Sequence, residues 1–326
     1  MPKRILSGMR PTAKLHLGNL LGALENWKKF EGEDSFFMIA DWHALTTEYA
    51  SHASIKDNVV EVVIDYMAAG LNPERSTIFL QSLVSEHAEL ALLLSMITPL
   101  AWLERNPTYK DQIQELKGKD LMTHGFLGYP VLQAADILLY KADAVPVGED
   151  QLPHLELARE IARRFNHLYK PVFKEAEAIL TKTPKIPGSD GRKMSKSYGN
   201  TIDLSDSPQE VDKKVMQMVT DPARKRREDK GNPEVCPVYF FHRIFNKENE
   251  KTVAHECRNA LRGCVECKKE MASHLVPFLK PIYEKRQELL KKRSQIREIL
   301  IEGSRKAKAV AVKTLAEAKD AVGIGI

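Results

Sequence analysis

The sequence predicts an α/β protein in which a parallel sheet with crossover helices is followed by a C-terminal helical domain. Strand-like and helix-like apolar patterns alternate up to about residue 170, an order typical of parallel sheets. From Ser207-Pro208-Gln209-Glu210 onward, a capping box with proline at the first helical position, the patterns are helical. The 326 residues suffice for about two domains. We expect a sheet domain over residues 1–200 and a helical domain over residues 201–326.

Apolar spacing and turn residues define the elements of the sheet domain. Strands are predicted, in chain order, at residues 3–8, 35–40, 76–81 and 144–147. Helices are predicted at residues 18–30, 54–69 and 129–141. In the first helix, Leu20, Leu24 and Trp27 fall on one face. Ser54 is expected to cap the second helix and Gly70 to end it.

The composition excludes several classes of protein. A hydrophobic content of 43% and a charged content of 29% are ordinary for a soluble globular chain. We expect no signal peptide, because Lys3 and Arg4 lead straight into a strand, and no transmembrane span or membrane partner, because the apolar run at residues 91–97 is too short. We therefore expect a cytoplasmic protein. Its net charge of +5 is compatible with a nucleic-acid partner.

An anion site is predicted where the first strand leads into the first helix. His16-Leu17-Gly18-Asn19 lies at the expected helix N-terminus, where free backbone N–H groups and the helix dipole attract anions. Gly18 removes a side chain that would block a nucleotide, and His16 can donate a hydrogen bond to a phosphate.

A second basic motif, Lys193-Met194-Ser195-Lys196-Ser197, lies far downstream. Alone it could be a solvated surface loop. Its two lysines could instead clamp a triphosphate, where charge develops as pyrophosphate leaves. The proline- and glycine-rich residues 184–191 before it predict a mobile loop, which suits a clamp that closes.

Asp136 lies in the apolar run over residues 133–139 of the third predicted helix. Burying an ionised carboxylate there costs several kcal/mol unless something pairs with it. A ligand and a structural partner such as arginine both remain open as explanations.

The four cysteines are Cys236, Cys257, Cys264 and Cys267, spaced C-x20-C-x6-C-x2-C. In a cytoplasmic protein this clustering favours a metal site over disulfides. Four thiolates most commonly bind zinc. Pro237 directly after Cys236, as after ferredoxin cysteines, instead favours a [4Fe-4S] cluster. Unliganded core thiols are the third alternative.

A basic run, Arg224-Lys225-Arg226-Arg227, precedes the cysteines. Such a run is either a solvated face or a surface that neutralises nucleic-acid phosphates.

The paired His16–Asn19 and Lys193–Ser197 motifs resemble the signature of class I aminoacyl-tRNA synthetases. Three further segments resemble the tryptophanyl-tRNA synthetases within this class: Ser7 to Thr12, Tyr129 to Tyr140 and Val145 to Gln151. The similarity runs from the N-terminus through Ser197. The resemblance implies a Rossmann-type catalytic domain that joins L-tryptophan to tRNA(Trp) with ATP and Mg²⁺, and a homodimer. It further implies that the helical domain meets the tRNA anticodon. A minority of this family carries a four-cysteine [4Fe-4S] cluster.

The resemblance also implies roles for individual residues. Catalysis would rest on His16, Lys193 and Lys196. The tryptophan site would comprise Asp136, Tyr129, Gln151 and His43, with Asp136 accepting the indole N–H. The ATP site would comprise Arg10, Pro11, Thr12, Gly18, Asn19, Lys110, Gly148, Glu149, Asp150, Ile186, Lys193, Met194, Ser195, Lys196 and Ser197.

The chain departs from the family pattern at two positions, and rival functions remain. Asn19 stands where the motif usually has a second histidine, and Arg10 stands where many members have glutamine. A tyrosine-activating synthetase would share the fold and the lysine clamp. A nucleotidyl-transferring relative without tRNA, or a non-catalytic RNA-binding redox module, would use only part of these features.

Overall fold

The computed structural model describes residues 2–115, 120–180 and 186–325. The chain forms two compact units. The first comprises Met1–Ala13, Gly22–Thr183 and Lys292–Ile326, and the second comprises Lys14–Leu21 and Pro184–Lys291.

Within the described residues, the first unit holds one sheet of five parallel strands in the order β3-β2-β1-β4-β5. The strands are β1 (Arg4–Met9), β2 (Asp34–Ile39), β3 (Thr77–Leu80), β4 (Ala144–Val147) and β5 (Glu177–Leu180). The α/β prediction is confirmed. β5 was not predicted, because it is a four-residue edge strand without a buried residue and so has no clear apolar pattern.

The helices of the first unit cover the sheet. They are α3 (Asp41–Glu48), α4 (Ile55–Ala68), α5 (Glu86–Ser95), α6 (Leu100–Arg105), α7 (Pro107–Glu115), α8 (His124–Leu139), α9 (Leu152–Leu168) and α14 (Arg293–Val322). Five of the six β2 residues are buried, as expected for a parallel strand covered on both faces.

Residues 17–30 are helical throughout but are not one regular helix. The segment consists of α1 (Leu17–Asn19), a π-helical stretch (Leu20–Leu24), α2 (Glu25–Trp27) and a 3₁₀ turn (Lys28–Phe30).

Ser54 does not cap α4 as predicted. It has helical backbone angles (φ −86°, ψ −11°) and no capping hydrogen bond, because a 3₁₀ turn leads directly into the helix. Gly70 ends the helix with φ +109°, as expected.

Helix α14 closes the edge of the sheet beside β3. The hydroxyl of Ser304 accepts the Leu80 N–H at 3.1 Å, which satisfies one backbone group of this edge strand. A Cβ on Gly303 would lie 1.9 Å from the Ile78 carbonyl oxygen, so only glycine allows this approach.

The second unit contains α10 (Pro208–Gln217), α11 (Pro237–Phe245), α12 (Glu250–Arg258) and α13 (Cys264–Leu290). The predicted capping box is present, with Ser207 and Glu210 bonding each other's backbone N–H groups. No helix among the described residues is long and apolar enough to cross a membrane.

Strand order reverses between β1 and β4, which are neighbours in the sheet although helices and two strands separate them in the chain. Ligands of open α/β sheets bind beyond the carboxyl ends of the strands at such a reversal. Residues 10–12 follow β1 and residues 148–151 follow β4, so both predicted segments lie there.

Candidate active site

Asp136 is the centre of a buried polar cluster in the first unit. The residue is only 2% exposed. Oδ1 accepts from His87 Nδ1 at 2.6 Å, Oδ2 accepts from His43 Nε2 at 2.8 Å, and Gln81 Nε2 lies 2.9 and 3.1 Å from the two oxygens. His87 Nε2 lies 2.8 Å from the Tyr140 hydroxyl. The structural partners are therefore two histidines and a glutamine.

These partners keep Asp136 ionised. Burial alone would raise the pKa of Asp136, but the His43 and His87 rings outweigh it and hold the pKa below its ordinary value. An ionised carboxylate has roughly four acceptor positions. His43 and His87 each use one position, and the Gln81 amide reaches one on each oxygen, so a ligand N–H would take the place of a Gln81 contact, the longest of the four at 2.9 and 3.1 Å.

Sequence reasoning missed Gln81 and His87. Gln81 follows the carboxyl end of β3, where polar residues face the ligand side of a parallel sheet, and this position was an available signal. His87 lies 49 residues from Asp136 in the chain, and no local sequence pattern indicates that the two side chains are in contact.

Tyr129 and Gln151 are joined by a histidine that the sequence did not single out. His154 Nε2 lies 2.8 Å from the Tyr129 hydroxyl, and His154 Nδ1 lies 3.1 Å from Gln151 Oε1. Burial, aided by the positive field of His43, lowers the pKa of His154 to about 4, so the ring is neutral near pH 7.

A neutral His154 has one arrangement that satisfies both neighbours. Nδ1–H donates to Gln151 Oε1, and Nε2 accepts from the Tyr129 hydroxyl. Burial also raises the pKa of Tyr129, which keeps its proton on the oxygen. The remaining lone pairs of Tyr129 can then accept from an ammonium group.

The other predicted first-unit residues are at the ends of strands or on helices. After β1, Pro11 is buried, Thr12 is half-buried and Arg10 is exposed. After β4, Gly148 is half-buried, and Glu149 and Asp150 are exposed. Lys110 is exposed on α7.

The two motifs on which the resemblance rests meet within the second unit. His16 forms an isolated antiparallel bridge with Asp203, and Leu17 N–H donates to Ile202 O at 2.8 Å. Burial, followed by the charge of Lys196, lowers the pKa of His16 to about 4. His16 is thus a neutral hydrogen-bond donor, and the positive charge comes from Lys193 and Lys196.

Gly18 and Asn19 shape the same helix start. A Cβ on Gly18 would lie 3.0 Å from the His16 ring, so a larger residue would crowd that ring. Asn19 Oδ1 accepts the His16 N–H at 3.0 Å, which leaves its amide Nδ2 as the donor end.

The lysine motif follows a tight hairpin. Pro187 and Lys193 form an antiparallel bridge, and Met194 N–H donates to Ile186 O at 2.8 Å. Ile186 and Met194 are buried, whereas Lys193 is exposed and Lys196 is half-buried. Pro184 and the side chain of Ser197 lie outside the described part of the chain, so mobility of the loop stays a prediction.

The four cysteines line one cavity of about 20 Å³ in the second unit. Cys236 precedes α11, Cys257 lies near the end of α12, and Cys264 and Cys267 lie in the first turn of α13. Burial raises the pKa of the Cys236 and Cys257 thiols, and raises the pKa of Cys267 to about 12. Across residues 2–115, 120–180 and 186–325, no three His, Cys, Asp or Glu side chains are arranged to hold a metal ion.

The side chains of the basic run lie partly on the surface and partly beside this cavity. Lys225, Arg226 and Arg227 are exposed and line an adjoining cavity of about 580 Å³. Arg224 is only 9% exposed and lines both cavities. Its Nη1 lies 3.9 Å from Cys257 Sγ, and its buried Nε has no hydrogen-bond partner in the described part of the chain.

Comparison with known proteins agrees with this geometry. A family model described as tRNA synthetases class I (W and Y) matches residues 1–280. The chain is 54% identical over 325 residues to a tryptophan–tRNA ligase of Thermotoga maritima, covering 98% of this chain and 99% of that protein. It is 47% identical over 393 aligned positions to one of Aquifex aeolicus, covering 98% and 100%.

Solved structures give the same result. A tryptophanyl-tRNA synthetase from Campylobacter jejuni, complexed with ADP and tryptophan, matches with a TM-score of 0.86 and 34% identity, over 98% of this chain and 100% of that one. The paired motifs within one unit, the buried carboxylate and these matches lead to one conclusion: the chain belongs to the tryptophanyl-tRNA synthetase family of class I aminoacyl-tRNA synthetases.

Proposed function

We propose that the protein activates L-tryptophan with ATP and transfers the tryptophanyl group to tRNA(Trp). The observation that carries the choice of amino acid is the ionised, buried Asp136, whose oxygens can exchange a Gln81 contact for a ligand N–H. The N–H of an indole ring takes the place of that contact. Phenylalanine has no ring donor to offer Asp136, and sites built to accept such a donor reject an analogue that lacks it by roughly 10⁴ to 10⁵.

The other tryptophan contacts follow from the same cluster. His43 lies beside Asp136 and borders the indole site. The Tyr129 oxygen and Gln151, both fixed by His154, accept hydrogen bonds from the α-ammonium group. This arrangement holds the substrate carboxylate in place for attack on phosphorus.

Activation is an attack by the tryptophan carboxylate on the α-phosphorus of MgATP. The new carboxyl–phosphate bond forms as the bond to pyrophosphate breaks, giving tryptophanyl-adenylate. In the second unit, Lys193 and Lys196 neutralise the departing charge, and neutral His16 and Asn19 donate hydrogen bonds. In the first unit, residues 10–12 and 148–150, with Lys110, contribute to ATP binding. In the second step, the terminal ribose hydroxyl of the tRNA takes the tryptophanyl group and releases AMP.

The tRNA is proposed to contact the helical residues within 201–326. Lys225, Arg226 and Arg227 are exposed beside a wide cavity and can neutralise phosphates. We also propose that the enzyme acts as a homodimer.

The four cysteines are proposed to hold a [4Fe-4S] cluster, with zinc as the alternative. All four side chains line one cavity, and Arg224, a buried arginine whose Nε has no partner among the described residues, borders it, which fits an anionic, thiolate-ligated group. A single zinc ion, with Zn–S bonds of about 2.3 Å, would need the four sulfurs close together. Such a group would cross-link three helices beside the basic cavity.

Iron, sulfide and zinc content of protein purified without oxygen distinguishes the two. Four iron atoms and four sulfides per chain support the cluster, and about one zinc per chain supports the alternative. A variant with Cys264 and Cys267 replaced by serine tests the role of the group, since equal anticodon-dependent charging would exclude a role in tRNA recognition.

The first test of the main proposal is amino-acid-dependent exchange of labelled pyrophosphate into ATP, with tryptophan and tyrosine side by side. Exchange with tryptophan alone supports the proposal. Exchange with tyrosine instead keeps the reaction class and refutes the substrate.

A further inference from the structure

Asn200 lies just beyond the lysine motif and was not singled out in the sequence. It is 2% exposed, although it follows a surface loop. Its side-chain Oδ1 accepts the Ser195 N–H at 2.8 Å. Its Nδ2 donates to the Lys193 carbonyl at 3.2 Å and to Asp190 Oδ1 at 2.7 Å. One amide thus bonds the backbone on both sides of Met194.

The backbone and packing of Asn200 reinforce this arrangement. Its carbonyl accepts the Ser189 N–H at 2.9 Å, so the residue also holds the other side of the hairpin. A Cβ on Gly188 would lie 2.2 Å from Asn200 Cγ, which shows that the amide fills the space beneath the hairpin. Gly199, with φ +63°, makes the turn that brings Asn200 back to this position.

Only an amide meets these needs. The side chain at this position must accept one hydrogen bond and donate two from a single planar group, and the asparagine amide can do both. Aspartate could still accept from Ser195 but could not donate, and it would place a second carboxylate beside Asp190. Alanine would leave the Ser195 N–H and the Lys193 carbonyl without this partner.

We propose that Asn200 is a positioning residue for the activation step, which sets the backbone that carries Lys193 and thereby the placement of the lysine clamp. It touches neither substrate in this role. A misplacement of about 1 Å at a clamp can cost about 100-fold in rate. The inference rests on the proposed function, because it assumes that the lysines act on ATP.

The test uses Asn200→Ala and Asn200→Asp in the full chain, assayed by tryptophan-dependent pyrophosphate exchange. We expect kcat to fall about 100-fold in the alanine variant, with a clear loss in the aspartate variant, while the KM for tryptophan stays within about twofold. Asn166→Ala is the matched control. Asn166 also accepts two backbone N–H groups and donates to a backbone carbonyl, but it lies near the end of α9 in the first unit.

Three results would overturn the proposal: an unchanged kcat in both Asn200 variants, an equal fall in Asn166→Ala, or loss of equilibrium tryptophan binding together with kcat. If the alanine variant does not fold, the aspartate variant decides by the same measures, and a failure of both to fold would make Asn200 a residue of stability only. Failure of the unmodified protein to catalyse exchange would instead refute the proposed function.

Discussion

Replacing Asp136 by asparagine is expected to weaken tryptophan binding by about 10- to 140-fold. The substitution keeps the shape of the side chain but converts one oxygen, an acceptor, into an amide nitrogen, a donor. His43, His87 and Gln81 already direct donors at this group. The indole N–H therefore loses a charged acceptor, an interaction worth about 1.5–3 kcal/mol, at roughly 1.4 kcal/mol per tenfold.

The same change should lower stability modestly. At least one buried donor loses its acceptor, which costs about 1–3 kcal/mol of unfolding free energy. Asp65→Asn is the control, because Asp65 is a fully buried carboxylate in α4 outside the candidate site.

The assay is pyrophosphate exchange with tryptophan and tyrosine, with circular dichroism to confirm folding. We expect the KM for tryptophan to rise in Asp136→Asn and not in Asp65→Asn, and the preference for tryptophan over tyrosine to fall. A folded Asp136→Asn protein with an unchanged KM and preference would refute the role of this carboxylate.

Three further predictions follow from the structure. Lys193→Ala should lower kcat of activation by about 10²- to 10³-fold, with a much smaller effect on the KM for tryptophan, since it removes charge stabilisation that develops during reaction; a change confined to KM would contradict this. Gly303→Ala should destabilise the protein by about 1–3 kcal/mol, because the new Cβ would lie 1.9 Å from Ile78 O. Gly128→Ala is the control: its Cβ would meet no atom of the described residues within 4 Å, so thermal melts should show it to be neutral or stabilising. The pKa of His154 is about 4 in the folded protein and near 6.5 in the unfolded one, so the unfolded state binds more protons between these values, and stability should fall as the pH drops from 7 to 4. In denaturant titrations, His154→Gln should flatten part of that slope. An unaltered slope would show that His154 is not held neutral.

Local signals carried most of the fold prediction. The strands at β1, β2, β3 and β4 were each visible as short apolar runs between turn residues. The Ser207 capping box depends on four consecutive residues and was therefore recognisable. The prediction that Ser54 caps α4 was wrong. Serine is a favourable capping residue on local grounds, but here a 3₁₀ turn leads into the helix and gives Ser54 helical backbone angles.

The candidate site was predictable only in part. Asp136 could be identified as a site residue because a carboxylate in an apolar run must have a partner. The residues that hydrogen-bond to it could not be predicted from the local sequence. Its partners His43, Gln81 and His87 lie 93, 55 and 49 residues away in the chain. Arg224 was assigned to a basic surface by its neighbours in sequence, and only packing shows that it is buried beside Cys257.

By itself the sequence determined the fold class, the family resemblance and the chemical types of the site residues, because periodicity, capping and motif spacing depend on residues close together in the chain. Tertiary structure decided which groups meet: the histidines on Asp136, His154 between Tyr129 and Gln151, Asn200 beneath the lysine motif and α14 on the edge of β3. The reason is physical. Strand order and helix packing bring distant residues together, and only at those contacts are the burial, the charge state and the hydrogen-bond partners of Asp136 established.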